Sequence, residues 1–87
     1  MAVGAFYDVM PEGPDVDMEQ LMIKIRNSVP DGIDIAEIKV EPVAFGLKKI
    51  VLSTVMDDAE GLVDALENAL LSVEGVQSAE CIATTLL

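Results

Sequence analysis

Asp57 and Asp58 are the residues best suited by type and spacing to do chemistry. Adjacent carboxylates bind divalent cations, but such a site takes six to eight oxygens for Ca²⁺ and near-octahedral geometry for Mg²⁺. Two carboxylates fall short of that, and capping a helix explains the same pair more simply. The chain has no histidine, so the commonest general base and the commonest metal ligand are absent. Its one cysteine, Cys81, rules out an internal disulfide and a thiolate metal cluster. Cys81 lies among small residues with no basic neighbour to lower its pKa, which reads as a core thiol. The glycines are scattered singly, so no phosphate loop is present. The single arginine, Arg26, falls late in a helical stretch, not in a loop that could cradle a phosphate. These residues point away from an enzyme, a resident metal and a cofactor.

A different chemistry is suggested by the stretch Glu41 to Lys49, EPVAFGLKK. Phe45 is one of only three aromatic side chains, and it stands beside Gly46 at a probable turn. Lys48 and Lys49 are the only adjacent basic pair in a chain of net charge -11. Two readings fit these residues. The ring closes one end of the core, since aromatic burial is strongly favourable. Alternatively, it is an exposed anchor for another protein, bordered by cations.

The overall charge narrows the partner. Sixteen acidic residues face five basic ones, too few cations for counterion release from nucleic acid or for an anionic membrane surface. A basic patch on a protein would suit this charge, which also serves solubility or a salty cytoplasm. No apolar run approaches the roughly 20 residues that a membrane span needs. The first ten residues lack a basic n-region and include Asp8, unlike a signal peptide. The expectation is a cytoplasmic protein with neither nucleic-acid nor membrane partner.

Elements that could position these residues follow from the apolar periodicity. At 87 residues and 52% hydrophobic, one aliphatic core is expected, with residues 1–87 as a single domain. Alternation predicts a first strand over Val3 to Met10, ended by Pro11, Gly13 and Pro14. Asp15 or Asp17 caps a first helix, whose stripe is Met18, Leu21, Met22, Ile25 and Val29. Pro30-Asp31-Gly32 breaks it by Ser28. Ala36, Ile38 and Val40 alternate with Glu37, Lys39 and Glu41 in a second strand ending near Pro42. A hairpin bend at Gly46 leads into a third strand with Ile50, Leu52, Thr54 and Met56 on one face.

Asp57 and Asp58 then cap a second helix, about Ala59 to Ser72, with the stripe Leu62, Ala65, Leu66, Ala69 and Val73. Gly75 is its expected C-cap, and VQSAECIATTLL is a fourth strand. The fold class is therefore α+β: a ferredoxin-like split β-α-β with a four-stranded antiparallel sheet and two helices on one face. Its open face would carry Phe6, Asp8, Glu37, Lys39, Val51 and Val55.

The run PVAFGLKKIVLSTVMDDAEG resembles the central signature of the translation elongation factor 1-beta family in its short archaeal form. The marks are Ala44-Phe45-Gly46, then Leu47-Lys48-Lys49, an apolar strand, and Asp57-Asp58. The opening Val9-Met10-Pro11-Glu12 with Pro14-Asp15-Val16-Asp17, and Val73-Glu74-Gly75-Val76, are similar as well. The resemblance spans the chain and implies the ferredoxin-like fold found above. It implies a guanine nucleotide exchange factor that promotes GDP release and GTP loading on the elongation factor 1-alpha GTPase. GDP, GTP and Mg²⁺ would be held by that partner, and the free factor would be a monomer. The implied partner-facing residues are Phe45, Gly46, Lys48, Lys49, Leu86 and Leu87. Where the family often carries a basic residue, this sequence has Leu86, which cannot compete with Mg²⁺ by charge. The rival class is a non-catalytic regulatory or oligomerisation module of the same topology.

Overall fold

A computed structural model describes residues 2–57 and 61–87. The elements are β1 (Ala2–Pro11), α1 (Met18–Ser28), β2 (Ile33–Pro42), a single 3₁₀ turn (Ala44–Gly46), β3 (Lys48–Asp57), α2 (Leu62–Leu71) and β4 (Val76–Leu86). The strands form one antiparallel sheet in the order β2-β3-β1-β4. This is the ferredoxin-like order, with both helices on one face. Leu21 and Ile25 of α1 and Leu66 and Leu70 of α2 are buried together with Tyr7, Val9, Ile50, Leu52 and Met56 of the central strands. Each such side chain contributes roughly 1.5–3 kcal/mol by leaving water. Thr54 enters this apolar layer because its hydroxyl donates to the Ala5 carbonyl at 2.8 Å.

Local chemistry explains the element boundaries. Asp17 caps α1, its carboxylate accepting the N–H groups of Glu19 and Gln20 at 3.0 and 3.2 Å. Two donors that the helix cannot satisfy internally are thereby paired. The α1 stripe falls as the spacing predicts, with Met18, Met22 and Val29 packed against the core's edge.

Three expectations need correction. Ala36 is exposed, not inward-facing. The β2–β3 register shifts between Ile35 and Glu37, so Ala36 is the extra residue of a β-bulge. The bulge lets Ile33 and Ile35, then Ile38 and Val40, all reach the core side although their spacing changes phase. Second, Asp57 is the last residue of β3, paired with Ala2, and is no helix cap. The cap of the described helix is Gly61, at φ 89°. Asp58 and the predicted start at Ala59 lie outside the described residues. Third, α2 ends on Ser72, whose N–H bonds back into the last turn. Gly75, at φ 100°, instead turns the chain into β4, and its carbonyl accepts the Glu12 N–H at 2.9 Å. The α2 stripe also gains Leu70, fully buried, which the spacing analysis left out.

Among the described residues, no helix covers the opposite face of the sheet. Glu37, Ser53, Phe6 and Ala83 form one row across it, and Lys39, Val51, Asp8 and Glu80 the next. This matches the open face expected from the alternation.

Candidate partner-binding site

The β2–β3 connection is short and tightly bonded. The Val43 N–H donates to the Leu47 carbonyl at 2.7 Å, closing the hairpin around Ala44–Gly46. Turning within three residues forces two consecutive positive φ values, 64° at Phe45 and 75° at Gly46. Glycine adopts that region freely, whereas a bulky L-residue does so at a cost of about 1–2 kcal/mol. Phe45 is the only non-glycine residue at positive φ among the described residues. Its ring is 100% exposed. The core-closing reading of Phe45 therefore fails, because no burial offsets the strain.

The two lysines beside the turn diverge, since successive strand residues point to opposite faces. Lys48 is exposed and, with Gly46, lines a groove of about 360 Å³ against Pro14, Val16 and Asp17 before and at the α1 N-terminus. Lys49 lies on the open face, where its Nζ meets Asp8 Oδ2 at 3.0 Å, both side chains about three-quarters covered. The other oxygen, Asp8 Oδ1, is buried with no hydrogen-bond partner, and Glu80 stands directly opposite Asp8 on β4. Lys39 bridges Glu37 and Glu41 on the exposed β2 edge, and both carboxylates raise its pKa.

Leu86 and Leu87 stand elsewhere. Leu86 pairs with Val3, and the Leu87 N–H donates to the Ala2 carbonyl at 3.0 Å. The Phe45 turn lies beyond Ile50, which pairs with Val9. Roughly 20 Å of strand separates Val3 from Val9 at about 3.4 Å per residue. The leucines and the phenylalanine thus occupy opposite ends of a body measuring 39 × 21 × 16 Å. Both leucines are about two-thirds exposed. Leu86 falls on the helix side of the sheet and edges a hollow of about 320 Å³ lined by Val3, Met56, Val63, Thr84 and Thr85 as well, where the end of β3 also passes. Leu87 lies near Gly4 on the open side.

Sequence reasoning grouped the six residues in one set and missed this hollow. The strand order held the signal: β4 antiparallel to β1 puts the end of β4 at the start of β1, away from the β2–β3 hairpin.

The remaining nucleophilic candidates sit on the inner face. Tyr7 is fully buried opposite Cys81, and its hydroxyl has no hydrogen-bond partner. Burial first, then the nearby Cys81 thiol and the acidic Glu67 and Asp64, push its pKa up to about 12. A neutral buried phenol is no nucleophile at ordinary pH. Cys81 is half-buried, and its thiol points to the Ala83 carbonyl at 3.7 Å. Among the described residues, no three His, Cys, Asp or Glu side chains gather as metal ligands. Among the described residues, no helix is long and apolar enough to cross a membrane.

Comparison with known proteins identifies the family. Residues 5–87 match the family model of the EF-1 guanine nucleotide exchange domain. Over 85 residues the chain is 45% identical to elongation factor 1-beta of Methanoregula boonei and 47% identical to that of Methanosphaerula palustris. Each alignment covers 98% of this chain and 96% of the relative. Elongation factor 1-beta of Methanothermobacter thermautotrophicus is 44% identical, with 90% of this chain and 88% of the relative covered. Among solved structures, the C-terminal domain of the MgtC protein from Mycobacterium tuberculosis superposes with a TM-score of 0.60. At 12% identity, and with 95% of this chain and 87% of that one covered, the likeness is one of fold.

Proposed function

The chain belongs to the EF-1 guanine nucleotide exchange domain family, and we propose that it works by gripping its GTPase at both ends of the sheet. Its function is guanine nucleotide exchange on elongation factor 1-alpha in translation elongation, promoting GDP release and GTP loading. The observation that carries the proposal is Phe45, strained and wholly exposed. A strained backbone that holds an aromatic ring in water destabilises the free protein, so its benefit lies in the complex.

In this reading Phe45 is the anchor, Gly46 allows the bend, and Lys48 borders the ring on the α1 side. Lys49 borders it on the open face, already bound to Asp8. Leu86 and Leu87 form the second contact at the far end. The GTPase holds GDP mainly through Mg²⁺ and the phosphate-binding loop. A factor that binds the empty GTPase more tightly than the loaded one weakens nucleotide binding by the same ratio. No bond is made or broken on the factor itself, which suits a chain without histidine. At the Leu86 end the factor acts by packing and displacement, because leucine offers no charge to rival Mg²⁺. Residues 1–87 act as one domain, monomeric when free, in the cytoplasm.

The test is release of fluorescent GDP from elongation factor 1-alpha of the same organism, chased with excess GTP. Substoichiometric factor should accelerate release by orders of magnitude. Unchanged release with demonstrably folded factor would refute the function. A tight dimer in sedimentation would instead favour a regulatory module that pairs open sheet faces.

A further inference from the structure

We infer that Gly4 is a positioning residue for exchange: the notch left by its missing side chain seats Leu87 on the open face of the sheet and so prepares the far contact with the GTPase. The inference rests on the reading that Leu87 meets the GTPase.

Gly4 is the one glycine inside a strand among the described residues. A glycine there weakens the strand, because it packs nothing and loses more freedom on folding than any other residue. The backbone does not call for it, since its φ is not positive, unlike that of Gly32, Gly46, Gly61 and Gly75. The reason is space. Gly4 pairs with Val55 on β3 and Thr85 on β4, and alternation with the inward-facing Val3 and Ala5 turns it to the open face. It is buried even though no helix covers that face among the described residues. Leu87 and Thr85 cover it instead. A methyl group placed on Gly4 would stand 3.8 Å from both δ-carbons of Leu87 and 3.1 Å from Thr85 Cγ2. The seat therefore has room for one carbon beneath Leu87 and for no branched side chain.

Leu87 is fixed at a second point, where its N–H donates to the Ala2 carbonyl at 3.0 Å. Held by backbone and side chain, it still turns 65% of its surface to water. A side chain presented in this way has less rotamer freedom to lose on binding. Ordering one such side chain during association weakens it by about three- to tenfold, and Leu87 meets that cost when the factor folds. The competing reading is that Gly4 lets the GTPase backbone approach closely. Its burial beneath Leu87 and Thr85 argues against direct access.

The experiment measures GDP release with wild type, Gly4→Val, Gly4→Ala, Leu87→Ala and the double variant Gly4→Val/Leu87→Ala, with thermal unfolding to confirm that each is folded. Valine is a good strand former, so the sheet accepts it, but its γ-carbons need the space where Leu87 stands. We expect Gly4→Val to need about three- to tenfold more factor for half-maximal acceleration. Gly4→Ala, whose one carbon mainly crowds Thr85, should need about twofold more. In the Leu87→Ala background neither change at Gly4 should cost anything further, because effects that act through one contact do not add. An equal further loss in that background overturns the inference, since Gly4 would then act without Leu87. Wild-type potency of Gly4→Val beside an impaired Leu87→Ala overturns it as well. If Gly4→Val does not fold, the same comparison made with Gly4→Ala decides between these outcomes. Leu87→Ala with the potency of an active wild type refutes the Leu87 contact and the inference with it. An inactive wild type refutes the exchange mechanism as a whole.

Discussion

Replacing Phe45 separates the two things that its residue does: it carries a ring, and it holds a left-handed backbone. The ring is 100% exposed, so Phe45→Ala removes no buried surface and keeps the strained φ of 64°. Stability should change by less than about 0.5 kcal/mol, as for surface positions generally. Phe45→Asn removes the ring and installs a residue that tolerates the left-handed region. It should recover much of the strain, roughly 0.5–1 kcal/mol. For a domain of this size that raises Tm by about 2–8 °C. Glycine would relieve the strain as well, but its extra freedom in the unfolded chain offsets about 0.5–1 kcal/mol of the gain. Function should move the other way. An anchor of this kind is worth at least about 2 kcal/mol of binding, roughly thirtyfold in the factor concentration needed for half-maximal exchange. Thermal unfolding and GDP release, measured on the same preparations, read the two effects separately. A more stable and less active Phe45→Asn is the expected pair. Loss of more than 1 kcal/mol in Phe45→Ala would mean that the ring packs on its own chain, and full activity in Phe45→Asn would refute the anchor.

The charge cluster on the open face makes a second prediction. Lys49→Ala leaves the largely covered Asp8 with neither oxygen paired and with Glu80 opposite it. Urea unfolding should show a loss of about 1–3 kcal/mol. The double variant Asp8→Ala/Lys49→Ala should recover part of it, because no unpaired charge remains. Tyr7 gives a pH prediction. Its pKa is raised by burial to about 12, against 10 in the unfolded chain. The stability it contributes is therefore intact below pH 10, where both states keep the proton. It is lost as pH rises toward 12, because only the unfolded state ionises, with a slope of up to about 1.4 kcal/mol per pH unit. Tyr7→Phe deletes a hydroxyl that has no partner, so stability at pH 7 should be unchanged or slightly higher, and this alkaline loss should disappear. A Tyr7→Phe protein that still loses stability over that range with the same slope would assign the effect to another group.

Why some of this was legible in the sequence and some was not comes down to the range of the interactions involved. The cap at Asp17, the α1 stripe and the alternation of β3 depend on neighbours within four residues, and the sequence displays them directly. Ala36 could not be read that way. A bulge is a property of two strands in register, and only the β3 partner reveals that one residue of β2 is surplus. Asp57 was misjudged as a helix cap for a similar reason. A carboxylate before an apolar helical run looks the same whether it caps that helix or closes a strand, and its pairing with Ala2 decides between them.

Phe45 is the reverse case. The short hairpin and its neighbouring glycine were visible, but whether the ring turned in or out depended on the backbone angle, which no local pattern specifies. The separation of Phe45 from Leu86 is more instructive still. The two are 41 residues apart in sequence and at opposite ends of the sheet, because β1 runs between the strands that carry them. A surface made of both cannot be a single patch. On the proposed reading the sheet instead holds two small contacts at a fixed spacing, and its rigidity becomes part of the mechanism. If one contact binds first, the second is already placed, and its ordering entropy has been spent in folding the factor. Exchange should therefore be more sensitive to loosening the central strands than either contact residue alone would suggest.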